Sequence, residues 1–141
     1  MKSIEGKIRE IAKQPAFAGY GYIFENWYDA STAVSRVPLP AIITILPVNG
    51  SITFRNGRTY DTENIAIAFV DKVPRNANGE DNERAYNRMK AVGVEFIKAL
   101  NASGYFAPLE EQQPYQVICE QMSDVVTGVF FTLKLQEVGR C

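Results

Sequence analysis

Apolar residues recur along the chain in two periods, helical and alternating, and the period changes at clear breakpoints. Ile4, Ile8, Ile11 and Ala12 share one helical face, with Lys, Arg and Glu between them. Ser3 is placed to cap that face and Pro15 closes it, so residues 1–15 are predicted to hold a short amphipathic helix that must dock on another element. Farther on the pattern alternates. Ala41 to Leu46 is a β-branched run, apolar on both parities and framed by Pro40 and Pro47, which predicts an interior strand ending at the second proline. Ser51 to Phe54 and Arg58 to Tyr60 flank Asn56-Gly57, the dipeptide suited to a two-residue hairpin turn. Asn64 to Asp71 reads as a further strand.

The helical period returns over residues 82–101. Ala85, Met89, Val92, Gly93, Phe96, Ile97 and Leu100 form one stripe, with Glu83, Arg84, Arg88, Lys90, Glu95 and Lys98 largely off it. The polar stretch from Pro74 to Asp81 before it is expected to be an exposed loop. Residues 115–138 then read as a closing strand pair, Tyr115 to Met122 and Val125 to Val138, turning near Ser123-Asp124. In the last strand Val129, Phe131, Leu133 and Leu135 alternate with Phe130, Thr132, Lys134 and Gln136, so the first set is expected in the core. Strands come in blocks instead of alternating with helices. The prediction is therefore a single α+β domain over residues 1–141, with a mainly antiparallel or mixed sheet packed by one long helix, plus the amphipathic N-terminal helix.

Ala18 to Ser31 departs from these patterns, being dense in aromatics (Tyr20, Tyr22, Phe24, Trp27, Tyr28) and interrupted by Gly19 and Gly21. Three readings are open: packing over the sheet, exposure at a protein–protein contact, or a stacking platform for single-stranded nucleic acid. The last lacks the interleaved basic residues such platforms use, since no Lys or Arg lies between Lys13 and Arg36. Arg55 and Arg58, around the hairpin tip, are candidates either to grip a neighbouring subunit or to keep an edge soluble.

Composition narrows the function classes. The chain has 141 residues, 46% hydrophobic and 22% charged, with net charge −1 from 15 basic and 16 acidic side chains. That is an ordinary globular balance without the net basic face expected of a nucleic-acid binder. There is no histidine, which excludes Ser-His-Asp and Cys-His catalysis and His-rich zinc sites. The two cysteines, Cys119 and Cys141, are too few for a Cys-only zinc cluster. Cys119 is expected to be a small buried residue and Cys141 a free thiol. No phosphate-binding glycine loop is present. The carboxylate pairs Glu80-Asp81 and Glu110-Glu111 lie in polar stretches and read as solvated loop charge. The start has no apolar signal-peptide core, and no run approaches bilayer-spanning length, so a soluble, cytosolic chain is expected. No enzyme activity, catalytic residue, cofactor or bound metal is expected.

Several segments, taken in order, carry a family resemblance: the amphipathic N-terminal helix, the aromatic entry Phe24-Glu-Asn-Trp27-Tyr-Asp29, Leu39-Pro40-Ala-Ile-Ile-Thr-Ile-Leu46-Pro47, the Asn64 to Asp71 strand, the helix ending Phe96-Ile-Lys-Ala-Leu100, and Val126-Thr-Gly128-Val-Phe-Phe-Thr-Leu-Lys-Leu135. This layout resembles the tail terminator and tail-completion (neck) proteins of long-tailed bacteriophages, small α+β proteins that form a ring on the end of the tail tube. The resemblance spans nearly the whole chain and is one of order and pattern. It implies a structural virion protein, assembled in the bacterial cytoplasm, that forms a homo-oligomeric ring, with a hexamer as the candidate size. Its partners would be a tail tube or sheath protein and a neck or connector protein, with no membrane and no sequence-specific nucleic acid. The interface candidates are Tyr20, Tyr22, Phe24, Trp27, Tyr28, Arg55 and Arg58. A head-tail connector subunit, or a non-enzymatic module binding a protein or a small ligand in an apolar pocket beneath the long helix, are the competing readings.

Overall fold

The computed structural model describes residues 3–26, 29–30, 33–74, 76–121 and 126–138. Along the chain come α1 (Ile4–Ala12), β1 (Gly21–Asn26), β2 (Ala41–Arg55), β3 (Arg58–Lys72), α2 (Gly79–Ala102), β4 (Tyr115–Gln121) and β5 (Val126–Gln136), with single 3-10 turns at Pro15–Phe17 and Val34–Arg36. The strands form one five-stranded sheet in the order β1-β2-β3-β5-β4. β1 lies parallel to β2, and the other neighbouring pairs are antiparallel. The domain is α+β with a mixed sheet and one long helix packed on it, the class predicted from the periodicity.

Both faces of the sheet are covered, unequally. Alternate residues of the central strands, Ile42, Ile65, Ile67, Phe69, Val129, Phe131, Leu133 and Leu135, meet α1 through Ile4, Ile8 and Ile11 and α2 through Met89, Phe96 and Leu100. All of these are buried, including the four alternating residues of β5 expected in the core. Each isoleucine of α1 contributes roughly 1.5–3 kcal/mol by leaving water, which is what holds so short a helix in place. The opposite parity, Ile23, Ala41, Ile43, Ala68 and Val70, forms a smaller cluster beneath Ala30 and Val34 of the crossover from β1 to β2. That crossover exists because parallel neighbours cannot be joined by a tight turn. It explains why β2 is apolar on both parities.

Several element boundaries and one burial differ from the sequence-based expectation. The long helix begins at Gly79, inside the stretch expected to be loop, because Asn78 and Asp81 form a reciprocal capping box: the Asp81 N–H donates to Asn78 Oδ1 at 2.8 Å and the Asn78 N–H donates to Asp81 Oδ2 at 3.1 Å. Glu80 and Asp81 are thus first-turn acids of the helix, favoured there by its dipole. β2 does not stop at Pro47. The register passes from Ile45↔Ala66 to Asn49↔Asn64, so three residues stand opposite Ile65, and the missing proline N–H falls within this bulge. In consequence, what reads as a short hairpin and a separate strand is a single pair, β2 and β3. The glycine-interrupted aromatic segment does contain a strand, β1, and the N-terminal helix is confined to Ile4–Ala12. Cys119 is exposed, not buried: it shares parity with Tyr115 and Val117 at the margin of α2, and Ile118 takes the buried side. The expected turn at Ser123-Asp124 and Cys141 lie outside the described residues.

Candidate interaction surface

The β2–β3 pair is longer than the sheet that supports it. β1 accompanies β2 only as far as Leu46, and β5 accompanies β3 only from Thr62 onward. Residues 52–55 and 58–61 therefore project as a two-stranded arm, tied at its root where the Glu137 N–H donates to Asp61 O at 3.0 Å. Its tip is a two-residue turn with Asn56 at φ 53 and Gly57 at φ 74. The left-handed conformation at both positions is why Asn-Gly stands here. Cross-strand pairs alternate along the arm: Ile52↔Asp61 and Phe54↔Thr59 on one face, Thr53↔Tyr60 and Arg55↔Arg58 on the other. Ile52 is 52% exposed and Phe54 79% exposed. A ring the size of phenylalanine left in water forgoes roughly 1.5–3 kcal/mol of burial, which a two-stranded ribbon can ill spare.

A second exposed apolar area lies at the other side of the sheet. β4 is an edge strand, and Tyr115 and Val117 on its helix-side face are 44% and 36% exposed. The Lys90 ammonium stands over the Tyr115 ring at 4.7 Å, and Val94, one helical turn beyond Lys90, is 42% exposed. The edge is entered through Pro114, whose carbonyl accepts from the Thr132 N–H, and its register with β5 shifts between Ile118 and Gln121. The loop leading into it holds the exposed pair Glu110 and Glu111.

The aromatic candidates turn out to be divided. Tyr20 is half-buried and packs near Phe17, ring centroids 6.2 Å apart. Tyr22 is half-buried too, and its hydroxyl donates to Glu5 Oε2 at 2.9 Å and lies 2.9 Å from Thr44 Oγ1. Arg9 bonds the same Glu5 oxygen at 3.0 Å and sits over the Tyr22 ring. This group clamps α1 to the sheet, so Tyr22 serves the fold. Burial, with a smaller contribution from Glu5, raises its pKa well above that of a free tyrosine. Phe24 is half-buried on β1. Trp27 and Tyr28 lie outside the described residues. Arg55 and Arg58 are exposed at the arm tip, where the sequence placed them. Ile52, Phe54, Tyr115, Val117 and Val94 were not among the candidates. The one signal for the first two was the alternation Ser51-Ile52-Thr53-Phe54, which marks an apolar face without saying whether anything covers it.

Two open clefts lie among the described residues. One, of about 470 Å³, forms where the loop before β4 bows away from β5 between two hydrogen bonds, Ala107 N–H to Gln136 O and Thr132 N–H to Pro114 O. Prolines and the amides of Asn64, Gln112, Gln113 and Gln136 line it, with Lys134 and Glu110 as its charged members. The space beneath the long helix, where an apolar pocket was one expectation, is filled by Phe69, Phe96 and Phe131, whose rings meet at 5.5 and 6.0 Å. The other cleft, about 330 Å³, lies at the root of the arm beside Asp61 and Glu63. Among the described residues no group of three or more Cys, Asp or Glu side chains is placed to hold a metal ion, and no helix is long and apolar enough to cross a membrane.

Glu63 carries a testable electrostatic cost. Partial burial, then repulsion from Asp61 and Glu137, raises its pKa above the ordinary carboxylate value. A raised folded-state pKa means that the native state binds the proton more tightly than the unfolded chain does. Its favourable contribution is present at acid pH and is lost as pH rises through the folded-state pKa. Glu63→Gln is therefore expected to raise the melting temperature modestly at neutral pH, with the gain shrinking as pH falls through the carboxylate range. Melts of both chains across that range check it; a gain that grows toward acid pH would contradict the sign.

Compared with models of known protein families, the chain matches none, and no curated protein matches it either.

Proposed function

We propose that this protein is a structural virion subunit, a tail terminator whose copies close into a ring that caps the tail tube and receives the neck. The observation that carries the reading is the arm: a projecting hairpin exposing Ile52 and Phe54 on one face and two arginines at its tip. Such a device suits repeated contacts between subunits, where aromatic anchors concentrate the binding energy. The resemblance in element order points the same way. In mechanism, one ring face would copy the contact that the next tube ring would make. The other face would offer no such contact, so that growth stops and a connector docks.

Mass photometry with negative-stain microscopy of the purified protein tests the assembly, and a discrete ring is the expected result. A monomer at every concentration would overturn it. Disrupting the gene in the phage or prophage that carries it separates the two virion roles. Overlong tails are expected of a terminator, whereas tails of normal length without heads would replace that role with a neck subunit.

A further inference from the structure

We infer that Asn56 is a self-modifying site: its side-chain amide converts to a carboxylate without an enzyme, ahead of the other asparagines that precede glycine, and so changes the charge at the arm tip. This chemistry does not depend on the ring reading. An asparagine followed by glycine is the dipeptide most open to the reaction, because no side chain shields the glycine nitrogen. The chain has three of them, Asn49-Gly50, Asn56-Gly57 and Asn78-Gly79. The fold tells them apart.

The reaction consumes only water. The Gly57 nitrogen gives up its proton to base and attacks Cγ of Asn56. The bond from Cγ to the amide nitrogen breaks, ammonia leaves, and a succinimide ring closes. Water then opens either carbonyl of the ring. One opening leaves aspartate at position 56, and the other leaves isoaspartate, with the main chain rerouted through Cγ. The balance is one water in and one ammonia out.

The main chain must rotate at the asparagine before the nitrogen reaches Cγ, so the rate follows how readily each segment opens. Asn78 is held at several points. Its Oδ1 accepts from the Asp81 N–H at 2.8 Å, its carbonyl accepts from the Asn82 N–H at 3.1 Å, and its own N–H donates to Asp81 Oδ2. Rotation there breaks the capping box and the first turn of α2. Asn49 lies opposite Asn64 in the central strand pair, and the Asn64 Nδ2 donates to Asn49 Oδ1 at 2.7 Å. Gly50 sits so close to β3 that a methyl group on it would lie 2.2 Å from the Thr62 carbonyl oxygen. Asn56 is placed otherwise. It is exposed at the arm tip, and a methyl group on Gly57 would meet nothing within 4 Å. Opening starts from Arg55↔Arg58, the end pair of a two-stranded ribbon, where fraying costs least. Either product sets a carboxylate between Arg55 and Arg58 in the chain. Isoaspartate also adds a carbon to the main chain of a turn that fixes the strand register, so it distorts the arm that carries Ile52 and Phe54.

The test is peptide mapping by mass spectrometry, with aspartate and isoaspartate resolved, on the purified full-length protein aged in mildly alkaline buffer, native and in urea. In the native protein Asn56 is expected to react about fivefold or more faster than Asn78, the ratio set by the loss of one helix cap, and faster also than Asn49. In urea the three rates should converge, since the dipeptide is the same. Asn49 or Asn78 reacting first in the native protein would overturn the assignment. So would three equal native rates, a native Asn56 that stays intact while the unfolded chain reacts, or a ranking that persists unchanged in urea. Asn56→Gly keeps a residue suited to the left-handed turn and removes the amide. Ion exchange of the aged variant should lack most of the acidic species seen in the aged parent, and acidic species forming at the parent rate would place the modification elsewhere.

Discussion

Phe96→Ala is expected to destabilise the protein by about 3–5 kcal/mol, a large share of the roughly 5–15 kcal/mol that typically separates a folded domain from its unfolded chain. Phe96 is fully buried at the centre of the helix-covered face. Its ring meets Phe17 edge-on at 5.2 Å and Phe69 edge-on at 5.5 Å, so the substitution removes two aromatic contacts along with the buried area. Whether the cavity collapses decides where in the range the loss falls. Phe69 belongs to β3, hydrogen-bonded on both sides by β2 and β5, and Phe17 is held in a 3-10 turn by its N–H donating to Gln14 O at 2.8 Å. Neither backbone can follow the missing ring, which favours the upper half of the range. Urea unfolding measures it, with an unchanged dependence on denaturant expected. A loss below about 1 kcal/mol would mean that α2 packs through another face, since no fully buried phenylalanine is that cheap.

The same helix shows which signals were legible in the sequence. Its apolar stripe and the alternation of β5 located the main core, because each element meets one covered face and repeats with its own period. Asn56-Gly57 located the turn, because few other residues accept two successive left-handed conformations. β1 was harder. Gly19 and Gly21 blur the alternation, and its parallel partner β2 is reached through a crossover whose path no local pattern encodes. Cys119 was misplaced because alternation gives a residue's parity and not the width of the covering helix. β4 lies beyond the full cover of α2, so its helix-side residues stay half exposed. The candidate surface was illegible for the same reason. Ser51-Ile52-Thr53-Phe54 has the pattern of a half-buried strand, and only the lengths of β1 and β5 reveal that the arm outruns its neighbours. The arginines were found because charges near a tight turn are exposed whatever the fold.

Gly128→Ala is the second large effect, with an expected loss of about 3 kcal/mol or more, above the usual range for one added methyl group. Gly128 stands opposite Val70, in the register of the two central strands. A methyl group there would lie 1.9 Å from the Phe69 carbonyl oxygen, 2.9 Å from its carbonyl carbon and 2.9 Å from Val70 Cα. Every one of these atoms is backbone, so no side-chain rotation can make room, and β5 must move away from β3. That movement strains the ladder from Lys72↔Val126 onward and disturbs Thr127, which is fully buried and donates to Asn82 Oδ1 at 2.6 Å. The damage therefore reaches the N-terminal end of α2 as well as the sheet. Gly19→Ala is the natural control, since a methyl group at Gly19 meets nothing within 4 Å. Thermal melts of the two variants should differ widely, with Gly19→Ala close to the parent and Gly128→Ala strongly destabilised. Equal melting temperatures would show that β5 does not approach β3 as closely as this register requires.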